Sequence, residues 1–225
     1  DQYLLAGHPL FVAVDPFSRY EYASREGAQS AQPQAFASDL PRFFEAWGVR
    51  YDPLYVVADL RSATRLNRRT AQAQRHPAWL TLSTFKSGHP VVAPLNELLL
   101  VEAGALMVDS LQSTDADILL RSSPLSDTIT SPLLKTADIE SLNYQVIERD
   151  NPLPLAVSLQ GSFPTAFPDG DPSVAESPQD YEIDPETGTD FYETFTGKAR
   201  PLAVSEQSSQ VIIVSDTDFL ADAFA

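Results

Sequence analysis

Three short runs of consecutive apolar residues, each ended by a turn that carries aspartate, constrain this fold more than any other feature. They are LFVAV at 10–14, YVVA at 55–58 and VIIV at 211–214. Each is too short for a stable helix and is dominated by residues that favour strands. A strand with one face in water alternates apolar and polar residues, whereas a strand covered on both faces reads as a continuous run. The runs close on Asp15-Pro16, Asp59 and Ser215-Asp216. This pattern predicts an α/β fold: an open, mostly parallel sheet flanked by helices. Ligands of such sheets bind beyond the carboxyl ends of the strands. Asp15, Asp59, Asp216 and Asp218 are therefore the candidate ligand-binding residues.

The intervening segments fit the same frame. SDLPRFFEAW at 38–47 predicts a helix, with Ser38 as cap, Pro41 in the first turn, and Phe43, Phe44 and Trp47 at helical spacing. Further strands are expected over 78–82, 105–108, 116–121 and 153–159, with Pro154 placing the last at a strand start or a sheet edge. Residues 94–100 predict a short helix or turn, and the polar stretches 18–34 and 122–130 predict loops. After VIIV, residues 217–224 predict a helix capped by Asp216 or Thr217. Prolines 164, 168, 172, 178 and 185 interrupt an acidic, serine-containing stretch. An irregular excursion is therefore expected over about 163–200, within a single domain spanning 1–225.

With 43% hydrophobic residues, the chain can bury a core without disulfides or a structural metal. It contains no cysteine, which excludes thiolate metal sites and a cysteine nucleophile. The net charge of −16 opposes binding to nucleic acids or anionic lipid surfaces. It fits a soluble acidic surface, with a basic partner or a salt-rich habitat as the sharper alternative. No apolar run approaches the roughly 20 residues that span a bilayer. Against this acidic background Arg61, Arg65, Arg68, Arg69 and Arg75 stand close together. They read either as a solvated hairpin or as a patch that faces a partner.

Catalytic motifs are not found. There is no G-x-S-x-G elbow, no P-loop, and no G-x-G-x-x-G after a strand. His8, His76 and His89 are too scattered to suggest zinc. No catalytic residue, metal or cofactor is assigned. The Asp216–Asp218 pair admits cation binding or general-base work, but helix capping explains it more simply and is worth about 1 kcal/mol.

Six segments occur in order: QYLLAGHPLFVAVDPF, FFEAWGVRYDPLYVVADL, HPVVAPLNELLLVEAGAL, LLRSSPLSDTI, PLPLAVSLQGSFPTAFP and VIIVSDTDFLADAF. In order and spacing the chain resembles the GldG-like family of ABC-type transport auxiliary proteins, first associated with gliding motility. It departs at Gly7-His8, where paired glycines are usual, and at Ser215, where glycine often precedes the aspartate. The resemblance implies a class I glutamine amidotransferase-like (flavodoxin-like) sandwich without catalytic residues. It also implies membrane helices outside this region, a periplasmic position, and ABC permease and ATPase subunits as partners. The opening at Asp1, in mid-pattern, reads as a segment cut from a longer membrane-anchored protein. The expectation is a non-catalytic accessory domain that acts through protein contacts. Alternatives are a module binding a glycan or peptide at the carboxyl edge of the sheet, and a metal-assisted hydrolase.

Overall fold

The computed structural model describes residues 1–25, 31–66, 74–109, 114–147, 149–170 and 201–224. In chain order the elements are α1 (Gln2–Leu5), β1 (Leu10–Ala13), α2 (Arg19–Ser24), α3 (Pro41–Ala46), β2 (Val49–Arg50), β3 (Tyr55–Asp59), β4 (Ala63–Leu66) and β5 (Gln74–Leu82). They continue with β6 (Leu98–Val101), β7 (Met107–Val108), β8 (Thr114–Arg121), β9 (Ser126–Thr130), α4 (Leu133–Thr136), α5 (Ile139–Gln145), β10 (Pro154–Gly161) and β11 (Ser209–Val214).

All three apolar runs form strands, but their directions differ from the expected ones. The largest sheet has the order β1-β11-β10-β8. LFVAV and VIIV lie side by side and parallel, from Leu10 opposite Val211 to Ala13 opposite Val214. Every other strand pairing among the described residues is antiparallel. YVVA is not a neighbour of either run; β3 pairs with β9 in a sheet of its own. The expectation of a mostly parallel sheet is thus corrected to a mixed α/β arrangement of several mostly antiparallel sheets with few, short helices. The physical reason is that an unbroken apolar run reports cover on both faces and says nothing about a neighbour's direction.

Apolar side chains cover the main sheet on both sides. Leu4 and Leu5 of α1 and Phe44 of α3, with Trp47, pack with Val157, Leu159, Val211 and Ile213. Leu80, Leu100, Leu119, Leu155 and Val214 form a second cluster. Register shifts against β8, with Leu155 extra on β10 and Leu119 extra on β8, fall where β10 passes from the second cluster, at Leu155 and Ala156, to the first, at Val157 and Leu159. A third cluster joins β3 and β9 to α4 and α5 through Val56, Ile129, Leu134 and Leu142.

Residues 101–106 stitch the sheets together. The Val57 N–H donates to the Ala103 carbonyl at 2.8 Å, Glu102 N–H to Ala78 at 2.8 Å, and Gly104 N–H to Ser215 at 2.8 Å. The Ser215 hydroxyl, fully buried, returns a bond to the Gly104 carbonyl at 2.6 Å. Gly104 is required by space: a Cβ there would lie 2.6 Å from Cε2 of Tyr51.

Local differences have similar causes. The expected 38–47 helix begins at Pro41, because the Ser38 hydroxyl accepts the Asp15 N–H at 2.9 Å instead of capping. Residues 98–101 and 126–130 are strands rather than helix and loop, fixed by partners distant in sequence. A helix, α2, occupies part of the expected 18–34 loop. The expected final helix is two 3-10 turns, Asp218–Leu220 and Asp222–Phe224. Most of the expected irregular excursion, 171–200, lies outside the described residues. Among the described residues no helix is long and apolar enough to cross a membrane.

Candidate functional site

The parallel pair β1–β11 brings two strand ends together, and with them three of the four nominated aspartates. Asp15, Asp216 and Asp218 are all buried, and one carboxylate oxygen of each lies within 4.8 Å of the others. A divalent cation fits such a set by its donor chemistry. Each of the six oxygens, however, already accepts a hydrogen bond from the protein.

Asp15 accepts the Phe17 N–H at 2.8 Å on one oxygen, and the Thr217 N–H at 2.9 Å and hydroxyl at 2.7 Å on the other. Asp216 accepts the Val101 N–H at 2.5 Å and the Asp218 N–H at 2.6 Å. Asp218 accepts the Ser18 hydroxyl at 2.9 Å, the Tyr20 N–H at 3.2 Å and the Arg19 N–H at 2.6 Å. The capping reading therefore holds in an altered form. Asp216 caps the 3-10 turn that follows it, and Asp218 caps α2, about 200 residues away in sequence.

Three carboxylates so close resist ionising together. Burial pushes Asp15 up to about 7, against the bonds from Thr217, and the Asp218 charge adds to the rise. Burial also raises Asp216 well above the usual aspartate range, with the Asp15 charge next in weight. Asp218 is raised by burial despite its bonds from Ser18, Tyr20 and Arg19. The buried Tyr51 hydroxyl makes no hydrogen bond, and its phenol is held up by burial and by the nearby acids, Asp15 foremost.

Two functional neighbours were not nominated from sequence. Arg19, held at its N–H by Asp218, turns its guanidinium onto Glu102. Its Nε lies 3.1 Å from both carboxylate oxygens, and its Nη2 makes a shorter contact with Oε1. The Glu102 side chain is fully buried, and burial pushes it up to about 7 despite Arg19. Its φ of 63° is rare for a residue with a side chain. The flanking bonds from Glu102 N–H to Ala78 and from Val101 N–H to Asp216 hold that conformation. Arg19 also stacks on Phe17 at 4.9 Å and Tyr22 at 5.3 Å. A charged residue within a VEAG stretch gives no local sign of such a partner. A cleft of about 640 Å³, bordered by Ser18, Tyr20, Thr217 and Asp218, opens beside the cluster.

Asp59 is not part of this site. It is buried at the turn after β3, where its oxygens accept the N–H groups of Arg61, Ser62 and Ser123 and the hydroxyls of Ser62 and Ser123. Of the expected basic patch, Arg65 lies on the β4–β5 hairpin directly opposite Arg75, and Arg61 lines a separate cleft. Arg68 and Arg69 lie outside the described residues. None of the histidines joins the aspartate cluster: His8 stacks on Tyr3 and His76 packs against Trp79.

No curated protein and no solved structure matches the chain. A family model of auxiliary proteins, described as "ABC-type uncharacterized transport system", matches residues 1–225. The chain belongs to this family, and is thereby an auxiliary component of an ABC-type transport system.

Proposed function

We propose that this chain is a non-catalytic, extracytoplasmic accessory domain of GldG-like type, and that it serves its transport system by protein contact with the permease and ATPase assembly. The observation that carries the reading is the use made of the strand-end carboxylates. In an enzyme the acids at this edge would face an open site and meet substrate, water or metal, rather than lie buried among main-chain donors. Here all six oxygens of Asp15, Asp216 and Asp218 accept protein donors, six of those donors being main-chain N–H groups distant or local in sequence. Such bonds weld the chain ends of a scaffold. Phe11 on the outer strand β1 and Leu220 beyond β11 are meanwhile 54% and 63% exposed, as suits a surface that meets another protein.

The test is purification of the full-length protein from native membranes in mild detergent. Recovery of a permease and an ATPase with it supports the reading. A protein recovered only from the soluble fraction, alone, overturns it. A second reading, a glycan- or peptide-binding module, draws support from the cleft of about 640 Å³ beside Asp218. A thermal-shift screen of neutral oligosaccharides and peptides tests it, and silence across both counts against it.

A further inference from the structure

The cleft that Arg61 lines shares no residue with the aspartate cluster. Its volume is about 730 Å³. Its walls are the turn after β3, the segment following β5, the end of β8 with the turn beyond it, and Pro152. The chain has 31 acidic and 15 basic residues, yet this lining contains Arg61, Lys86 and Arg121 and no acidic side chain. Lys86 is paired with Asp117 at 2.7 Å. Among the described residues Arg61 and Arg121 make no ion pair. Two arginines lining one cleft, neither in an ion pair among the described residues, form a local positive site in a protein whose surface as a whole repels anions.

The walls are also fixed in place. Asp59 lies behind them and bonds to both turns, Arg61-Ser62 on one side and Ser123 on the other, at 2.6–3.1 Å. The Ser122 hydroxyl accepts the Leu153 N–H at 2.8 Å, which fixes the chain next to Pro152. The Lys86 N–H donates to Leu119 at 2.9 Å, which pins the segment after β5 to β8. Ser83 and Thr84 add hydroxyl groups along the lining, and Leu82, Phe85 and Leu119 add apolar surface.

We infer that this cleft binds a small organic oxyanion, a carboxylate or a phosphate, held between Arg61 and Arg121. The planar fork of a guanidinium matches a pair of oxygens on either anion. Asp59 is the positioning residue that ties the two turns together and so fixes the wall that carries Arg61.

The experiment is calorimetric titration of the 225-residue chain at low ionic strength with citrate, glucose 6-phosphate and uncharged glucose. Binding of either anion without binding of glucose is the expected result, and the anion that binds assigns the carboxylate or phosphate class. The double variant R61A/R121A, whose side chains are both exposed, is expected to weaken binding by at least about tenfold. R61K/R121K should recover part of the loss. The variant R25A removes one cation from an exposed pair elsewhere and should change nothing. Failure of both anions to bind, affinity unchanged in R61A/R121A, or an equal loss in R25A would each overturn the inference.

Discussion

Replacing Asp59 with alanine tests how the two turns around the Arg61 cleft are held. Asp59 is completely buried and accepts three main-chain N–H groups and two hydroxyls. The Ser62 and Ser123 hydroxyls can rotate toward water once the carboxylate is gone. The three N–H groups cannot, because the turns fix their direction. Leaving a buried donor unsatisfied costs about 1–3 kcal/mol. Ser62 and Ser123 are only partly buried, so the lower end applies to each N–H, for a total of about 3 kcal/mol. In a chain of this length that lowers the melting temperature by about 6–12 °C. The assay is thermal unfolding followed by circular dichroism, with Ser62→Ala and Ser123→Ala as controls, each keeping Asp59 and its main-chain bonds. Each control should lose no more than about 1 kcal/mol. If Asp59→Ala melts within 2–3 °C of the parent, about 1 kcal/mol, the reasoning that Asp59 holds these turns is refuted.

Other consequences are as direct. Asp15 and Glu102 are each raised to about 7 from ordinary values of 3.8 and 4.5, so over this window the folded state keeps protons that the unfolded chain has released. Their contribution is present at low pH and lost as the pH rises through about 7, so the melting temperature should fall between pH 5 and pH 8; a rise over that interval contradicts the assignment. At about pH 9, above the Glu102 titration, Arg19→Ala leaves that buried carboxylate without its cation and should cost about 3–5 kcal/mol in urea unfolding, whereas the double replacement R19M/E102M should cost less. An equal or larger loss in the double variant would deny that the single one acts through an orphaned charge. Gly104→Ala drives a methyl into Tyr51 and should cost about 1–3 kcal/mol; a neutral result means that the ring moves freely aside. Because the Asp15, Asp216 and Asp218 carboxylates are buried and held by protein donors, neither calcium, magnesium nor EDTA should shift the melting temperature, and a saturable calcium shift would reopen the cation reading.

What could be read in the sequence was cover, and what could not was direction. VIIV is packed on both faces and its composition records that packing, whereas LFVAV is the edge strand with Phe11 in the open, so its unbroken run overstates its cover. Their parallel pairing, and the antiparallel pairing of nearly everything else, depends on contacts between Leu10 and Val211 or Tyr55 and Thr130 that no local pattern encodes. β9 was hidden for a related reason: SDTIT is too polar to resemble a buried strand, and its place is set by β3. Attention to strand ends did single out Asp15, Asp216 and Asp218, which lie together because two parallel strands end side by side there. It also found Asp59, whose role is different. Arg19 and Glu102 were out of reach, since their pairing requires the fold that joins them.

The central claim is that this domain acts by touching a transporter rather than by turning over a substrate. Site-specific photocrosslinking in living cells tests it most directly, with the probe placed at exposed Leu220 beside β11 and, for comparison, at Tyr144 on α5. On the proposed extracytoplasmic position, the Leu220 probe should yield an adduct with the permease and none with the ATPase, since a domain there would meet only the membrane subunit. A direct adduct with the ATPase, or no permease adduct from either position, would contradict it.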